Sequence, residues 1–345
     1  MSISSKSSVL LIYTGGTIGM KEDPGNQALR PFDFSSLMEE VPELHKFALR
    51  IDSYTFDPLI DSSDIEPGMW QKLARIILEN YDAYDGFVVL HGTDTMAYSA
   101  SALSFMLENL GKPVIFTGSQ LPVGRPRTDG KENLISAVEI ASSREADGSP
   151  TVPEVCIYFN SLLLRGNRST KVDATGFEAF RSPNLPPLAQ AGIDIRYNRD
   201  LIRRPGDGPF SIRCGLDTRV SILKVHPGIT RQVVEDILLG PMTRAVIIET
   251  YGCGNAPSRD WFLDIVKESS RRGKILLNVT QCLRGLVNMD LYATGRTLKD
   301  AGVVCGRDIT TESALGKLFF LMGNSDDNET VKAQLEKDLR GEISI

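Results

Sequence analysis

Short apolar runs alternate with helical patterns along the first half of the chain, which is the signature of strand-helix units building a largely parallel sheet. Val9–Tyr13, Phe87–Leu90, Val114–Phe116 and Val155–Phe159 read as strands. Met96, Ala100, Leu103, Leu107 and Leu110 recur at spacings of four and three, so they place one apolar stripe on a helix that packs against the sheet. Gly111 is placed to cap that helix and Pro113 to restart the chain. From about Gln190 to Arg213 the sequence turns polar and irregular, broken by Pro205, Gly206 and Gly208, and reads as a linker. Beyond it Val220–Val225, Ala245–Glu249 and Ile275–Val279 read as strands, with helices starting near Arg231, Pro257, Thr310 and Thr330.

The pattern therefore predicts an α/β fold. A larger N-terminal domain with a mostly parallel sheet is expected over residues 1–190, a linker over 191–215, and a smaller C-terminal α/β domain over 216–345. Helices separate the strands, so both sheets are expected to be buried on two faces.

Length and composition narrow the class without naming it. At 345 residues the chain exceeds most single cores, in keeping with two domains. Hydrophobic content of 41%, charged content of 24% and a net charge of -6 describe an ordinary soluble protein, a poor partner for nucleic acid or anionic membrane. Cys156, Cys214, Cys253, Cys282 and Cys305 are odd in number and never form a CxxC pair, so neither a disulfide framework nor a zinc site is expected. A reducing compartment suits them. The apolar run from Val9 ends at Thr14, shorter than a signal-peptide core or a membrane span, and the expected address is cytoplasmic.

In open α/β sheets ligands bind beyond the carboxyl ends of the strands, so the polar strand ends are where chemistry is expected. The first is Thr14-Gly15-Gly16-Thr17-Ile18-Gly19, which lacks both the GxGxxG of a dinucleotide turn and the GxxxxGK[ST] of a phosphate loop. The second is His91-Gly92-Thr93-Asp94-Thr95-Met96, where Asp94 or Thr95 alone would pass as a helix N-cap. The third, Thr117-Gly118-Ser119-Gln120, reads as a turn. The fourth is Arg165-Gly166-Asn167-Arg168-Ser169-Thr170-Lys171, whose lysine stands beside apolar Val172. Together these ends offer two threonine hydroxyls, a carboxylate and an ammonium, a set suited to covalent catalysis. A threonine hydroxyl is a weak nucleophile unless a base or cation activates it. His45, His226 and His91 are poorly placed for that; His91, at a strand end, reads as a structural hydrogen-bonding group.

With TGGTIG near the N-terminus, HGTDTM after a later strand and the RGNRSTK segment, the chain resembles the L-asparaginase family, specifically its type I cytoplasmic members. The likeness runs from about Val9 to Glu342 and includes Asp61-Ser62-Ser63-Asp64, Gly254-Asn255-Ala256-Pro257 and Thr280-Gln281-Cys282. The resemblance implies hydrolysis of L-asparagine to L-aspartate and ammonia in two displacement steps, with no metal and no organic cofactor. Carried over by position, Thr17 is the nucleophile, Thr93, Asp94 and Lys171 relay protons and help activate water, and Thr14 supports the turn. Asp94 would hold the substrate's α-ammonium, and Asp61, Ser62 and Ser63 its α-carboxylate end. Backbone N–H groups at the Thr93 turn are the candidates for meeting negative charge on the amide oxygen.

The family fold pairs a larger N-terminal α/β domain with a flavodoxin-like C-terminal one, assembled as homodimers or homotetramers in which Asn255 would reach a neighbouring subunit's site. Two departures stand out. The loop from Lys21 to Phe32 holds no tyrosine, although family members usually place one there; Gly25 and the prolines suit a lid with hinges. Some type I enzymes bind a second asparagine between subunits through an arginine where this chain has Glu249, so activation by asparagine is expected to be weak or absent. Rival readings are a mixed glutaminase-asparaginase, the ammonia-releasing subunit of a tRNA amidotransferase, which carries an extra domain before TGGT, and a non-catalytic amino-acid-binding protein. Retention of Thr17, Thr93, Asp94 and Lys171 argues against the last.

Overall fold

Eight strands of the N-terminal half lie side by side with two glycine-bearing turns next to each other at one end, and the chain order explains why. The computed structural model describes residues 7–22, 29–31 and 39–344. Gly25 and the rest of 23–28, and Phe32, from the expected lid, lie outside the described residues. The chain divides into two compact units, Met1–Ile212 and Arg213–Ile345.

In the first unit the strands are β1 (Ser8–Tyr13), β2 (Arg50–Thr55), β3 (Gly86–Leu90), β4 (Val114–Thr117), β5 (Val155–Phe159), β6 (Leu162–Arg165), β7 (Ala189–Ala191) and β8 (Ile195–Tyr197). Their order across the sheet is β8-β7-β6-β5-β4-β3-β1-β2. Strands β1 to β5 run parallel, and β6 to β8 complete the sheet in antiparallel fashion. Every residue of β1, β3, β4 and β5 is buried, as the continuous apolar runs demand of strands covered on both faces. The sequence of β2, RIDSYT, is polar and mostly exposed, which suits the edge it occupies.

Among the described residues, α1 (Pro67–Glu79) leads into β3, α2 (Met96–Met106) follows β3, and α3 (Gly130–Ser142) leads toward β5. The chain passes from β1 outward to β2, then returns across β1 to β3 and continues the other way to β4. That reversal makes the crevice between the carboxyl ends of β1 and β3 the topological switch point, where ligands bind in open α/β sheets.

Four details differ from the sequence pattern. Helix α2 ends at Met106, four residues before the last residue of the expected stripe, because Leu107–Glu108 is taken up as a short strand pairing with Ser211–Ile212. Ten of the eleven residues of α2 are buried, so it has no polar face to set off a stripe. The stretch expected as a linker, 191–215, contains β8, which pairs with β7 inside the first sheet. Strand β6 offers only the short apolar run Leu162–Leu164, and its hairpin turns on Asn160 and Ser161 at φ of 47° and 65°, without a glycine to mark it.

The second unit has a four-stranded all-parallel sheet of β9 (Val220–Lys224), β10 (Ala245–Thr250), β11 (Ile275–Thr280) and β12 (Val304–Cys305), in that order. Helices α4 (Arg231–Leu239), α5 (Asp260–Arg271), α6 (Ala293–Asp300), α7 (Thr311–Gly323) and α8 (Asn328–Leu335) accompany it. Val234, Leu238, Phe262, Ile265, Val246, Ile248 and Leu276 are among its buried core.

Candidate active site

The turns that follow β1 and β3 are pressed together by glycines. Tyr13 and Leu90 are register partners, so Thr14 and His91 leave neighbouring strands at the same level. Gly15 and Gly16 sit at φ of 138° and 92°, a region other residues rarely adopt. A Cβ on Gly15 would strike the carbonyl of Ile60, and one on Gly16 would strike the backbone of Gly92. Gly92 in turn has no room for a Cβ because the Ser62 hydroxyl occupies that place. Thus the 14–17, 61–63 and 91–95 turns are in direct contact, and the first delivers Thr17 to the mouth of the switch point.

Thr14 is buried and its Oγ1 donates to Leu90 O at 2.9 Å, while Ile60 N donates to Thr14 O at 2.9 Å. Thr14 is therefore spent on holding the turn, whereas Thr17 opens a short helical turn with partial exposure. Tyr13, immediately before, is buried; desolvation pushes its hydroxyl pKa up, away from any role as a base near neutrality.

Lys171 approaches from a two-residue strand, Thr170–Lys171, paired with Phe180–Arg181. Its Nζ donates to Thr93 Oγ1 at 2.9 Å and to Asp94 Oδ1 at 2.7 Å. The lysine side chain is 18% exposed and the aspartate 64%, so the carboxylate faces outward from a mostly covered ammonium. Thr95, the residue preceding α2, makes no side-chain cap; its Oγ1 donates to Ser62 O at 2.6 Å and ties two turns together. Asp61 accepts from Ser63 N and Ser63 Oγ, both at 2.9 Å, and these bonds hold its carboxyl below the usual range.

Gln120 reads in the sequence only as part of a turn, yet it belongs to this cluster. Its Oε1 accepts from Thr93 Oγ1 at 3.2 Å and its Nε2 donates to Gly176 O at 3.0 Å. Asp129 grips the Gln120 backbone N–H with both carboxylate oxygens, at 3.1 and 3.0 Å. The signal in the sequence is its place at the end of β4, the strand next to β3.

Asn255 lies in the second unit, where its Oδ1 accepts from Thr294 Oγ1 at 2.7 Å and its backbone pairs with Tyr251. Glu249, at the end of β10, accepts from Thr311 Oγ1 at 2.7 Å and faces Lys224 at 3.4 Å.

Known proteins share this architecture along its whole length. The family model for the asparaginase N-terminal domain matches residues 8–203, and that for the glutaminase/asparaginase C-terminal domain matches residues 219–335. The chain is 45% identical over 342 residues to L-asparaginase 1 of Escherichia coli K12, covering 98% of each. Among solved structures, L-asparaginase I from Vibrio cholerae superposes with a TM-score of 0.90 at 43% identity, covering 99% of this chain and all of the other. The thermostable L-asparaginase from Thermococcus kodakarensis superposes with a TM-score of 0.89 at 31% identity, covering 98% of this chain and 99% of the other.

Proposed function

This chain belongs to the asparaginase family, and from that premise we propose how its own residues hydrolyse L-asparagine to L-aspartate and ammonia. Thr17 Oγ1 attacks the side-chain amide carbon, the carbon–nitrogen bond breaks, and ammonia leaves carrying the threonine's proton. Water then attacks the resulting ester and restores Thr17. In that second step Thr93, held by Lys171, which Asp94 in turn grips, positions the water and relays its proton. The contact of the Lys171 ammonium with both Thr93 and Asp94, at the switch point of the sheet, is the observation that carries this reading.

Substrate recognition needs one acidic and one donor-rich partner, because asparagine brings both an ammonium and a carboxylate. The exposed Asp94 carboxylate takes the first. Ser63 gives both its donors to Asp61, so capture of the α-carboxylate at this turn falls to Ser62 or requires Ser63 to exchange partners. Glutamine is longer by one methylene, worth only about 1–3 kcal/mol of discrimination in a pocket, so both amides belong in the assay.

Self-association of this chain into a dimer or tetramer accompanies the reading. Leu283, Leu286, Leu291 and Tyr292 leave about half or more of their surface exposed within one short segment, the kind of apolar patch a second copy covers. Asn255 would serve a neighbouring subunit's site in that assembly. A cytoplasmic address is supported by five cysteines, none of them in a disulfide. No helix among the described residues is long and apolar enough to cross a membrane.

Ammonia release from asparagine and from glutamine, measured for the parent and for Thr17→Ala, tests the proposal. Turnover by the parent and its loss in Thr17→Ala are expected. A parent inert on both amides, or a fully active Thr17→Ala, overturns it.

A further inference from the structure

Beneath the Thr93 turn runs a buried file of polar groups that the mechanism above does not use. Trp70 Nε1 donates to Ser99 Oγ at 2.8 Å, Ser99 Oγ lies 2.9 Å from His91 Nε2, and His91 Nδ1 lies 2.7 Å from Gly92 O. An indole nitrogen can only donate and a carbonyl oxygen can only accept, so the file has one permitted polarity. Nδ1 carries the proton and gives it to Gly92 O; Nε2 accepts from the Ser99 hydroxyl, whose lone pair receives the indole. The imidazole is neutral, with burial holding its pKa down to about 4.

The carbonyl that receives this bond belongs to the Gly92–Thr93 peptide. That peptide is trans, so its C=O and its N–H point in opposite directions. With Gly92 O drawn inward to a ring that is 1% exposed, Thr93 N–H points outward, on the side away from the ring. Among the described residues no protein acceptor takes the Thr93 N–H. Gly92 must be glycine to leave room for Ser62, and glycine is the residue at which a peptide rotates most cheaply. A glycine forced on the turn by packing thus leaves an adjacent peptide that needs an outside lock.

We propose that His91 is that lock: a positioning residue whose Nδ1–H holds the Gly92–Thr93 peptide so that Thr93 N–H faces the amide oxygen of the substrate as it turns negative. The inference rests on the hydrolytic reading above. A fixed donor aimed at a developing oxyanion acts on the transition state and little on ground-state binding, so its loss falls on kcat.

The test is steady-state ammonia release from asparagine, with the folded fraction of each variant checked by thermal unfolding. His91→Leu is expected to lower kcat by about tenfold to a hundredfold while KM changes little. His91→Asn, whose amide N–H reaches toward Gly92 O, is expected to recover most of that loss. Ser99→Ala leaves the ring free to carry its proton on Nε2 and is expected to lower kcat severalfold with KM unchanged, whereas Ser99→Thr retains the hydroxyl and the rate. The lock is overturned if folded His91→Leu keeps kcat within about twofold of the parent. It is equally overturned if Asn gives no rescue, or if Ser99→Ala and Ser99→Thr turn over alike. A parent inert on both amides removes the hydrolytic reading and the lock together, an outcome separate from an active parent indifferent to position 91.

Discussion

Lys171 Nζ stands 2.9 Å from Thr93 Oγ1, and the pair joins a strand that ends the RGNRSTK segment to the turn that ends β3. Seventy-eight residues of chain separate the two, yet the contact is short enough for direct proton exchange.

Removing the ammonium leaves the pocket's shape and takes its chemistry. Lys171→Met is expected to lower kcat by about a hundredfold to ten-thousandfold, the usual worth of positioned acid–base groups. Asp94→Ala is expected to lose turnover as well, and to raise KM because the α-ammonium loses its partner. Both side chains contribute little to the core, so thermal unfolding should stay cooperative and near the parent midpoint. A collapse of cooperative unfolding in either variant would assign them to structure instead.

Gly16 is expected to tolerate no side chain. At φ of 92° an alanine is strained by about 1–2 kcal/mol, and its Cβ would displace the Gly92 backbone as well. Gly16→Ala should therefore lower both the melting temperature and kcat. Gly148, at φ of 84° with nothing within 4 Å of its Cβ position, provides the control: Gly148→Ala should shift stability through strain alone and leave turnover untouched.

The depressed His91 pKa fixes a pH window for stability. The folded chain holds the ring neutral down to about pH 4, whereas the unfolded chain protonates it near 6.5, so the unfolded state binds the extra proton between those values. Stability from this group is complete above pH 6.5 and is lost as pH falls toward 4, by roughly 3 kcal/mol in total. Urea unfolding of the parent and of His91→Asn, at about pH 7 and about pH 4.5, should show a smaller acid loss in the variant. Equal losses would contradict the window.

Glu249 carries the expectation about regulation. With Thr311 and Lys224 as its neighbours, its carboxylate repels the carboxylate of a second asparagine where an arginine would grip it. Initial rates against asparagine concentration should be hyperbolic. A sigmoidal curve that Glu249→Ala abolishes would refute this.

Much of the site can be read from the sequence because it sits at strand ends, where glycine and threonine stand out against apolar runs. TGGT and HGTDT lie on neighbouring strands for that reason, and the parallel core is visible as uninterrupted Val, Leu and Ile. Gln120 is harder to see, since its role depends on Asp129 gripping its backbone from a loop nine residues on. The end of α2 at Met106 is hidden for a similar reason: Leu107 and Glu108 pair with Ser211 and Ile212, a partner no local periodicity announces. His91 is legible as a hydrogen-bonding group, but the direction of its bonds requires Ser99, Trp70 and Gly92 in three dimensions.

The seat of Gly16 on Gly92 also limits how the pocket can be redesigned. Because neither backbone can retreat without moving the other, libraries that vary the 14–17 turn should return mostly inactive clones. Altered substrate range is better sought at Ser63, whose donors can change partners, and at Gln120, where a side chain rather than main chain meets Thr93.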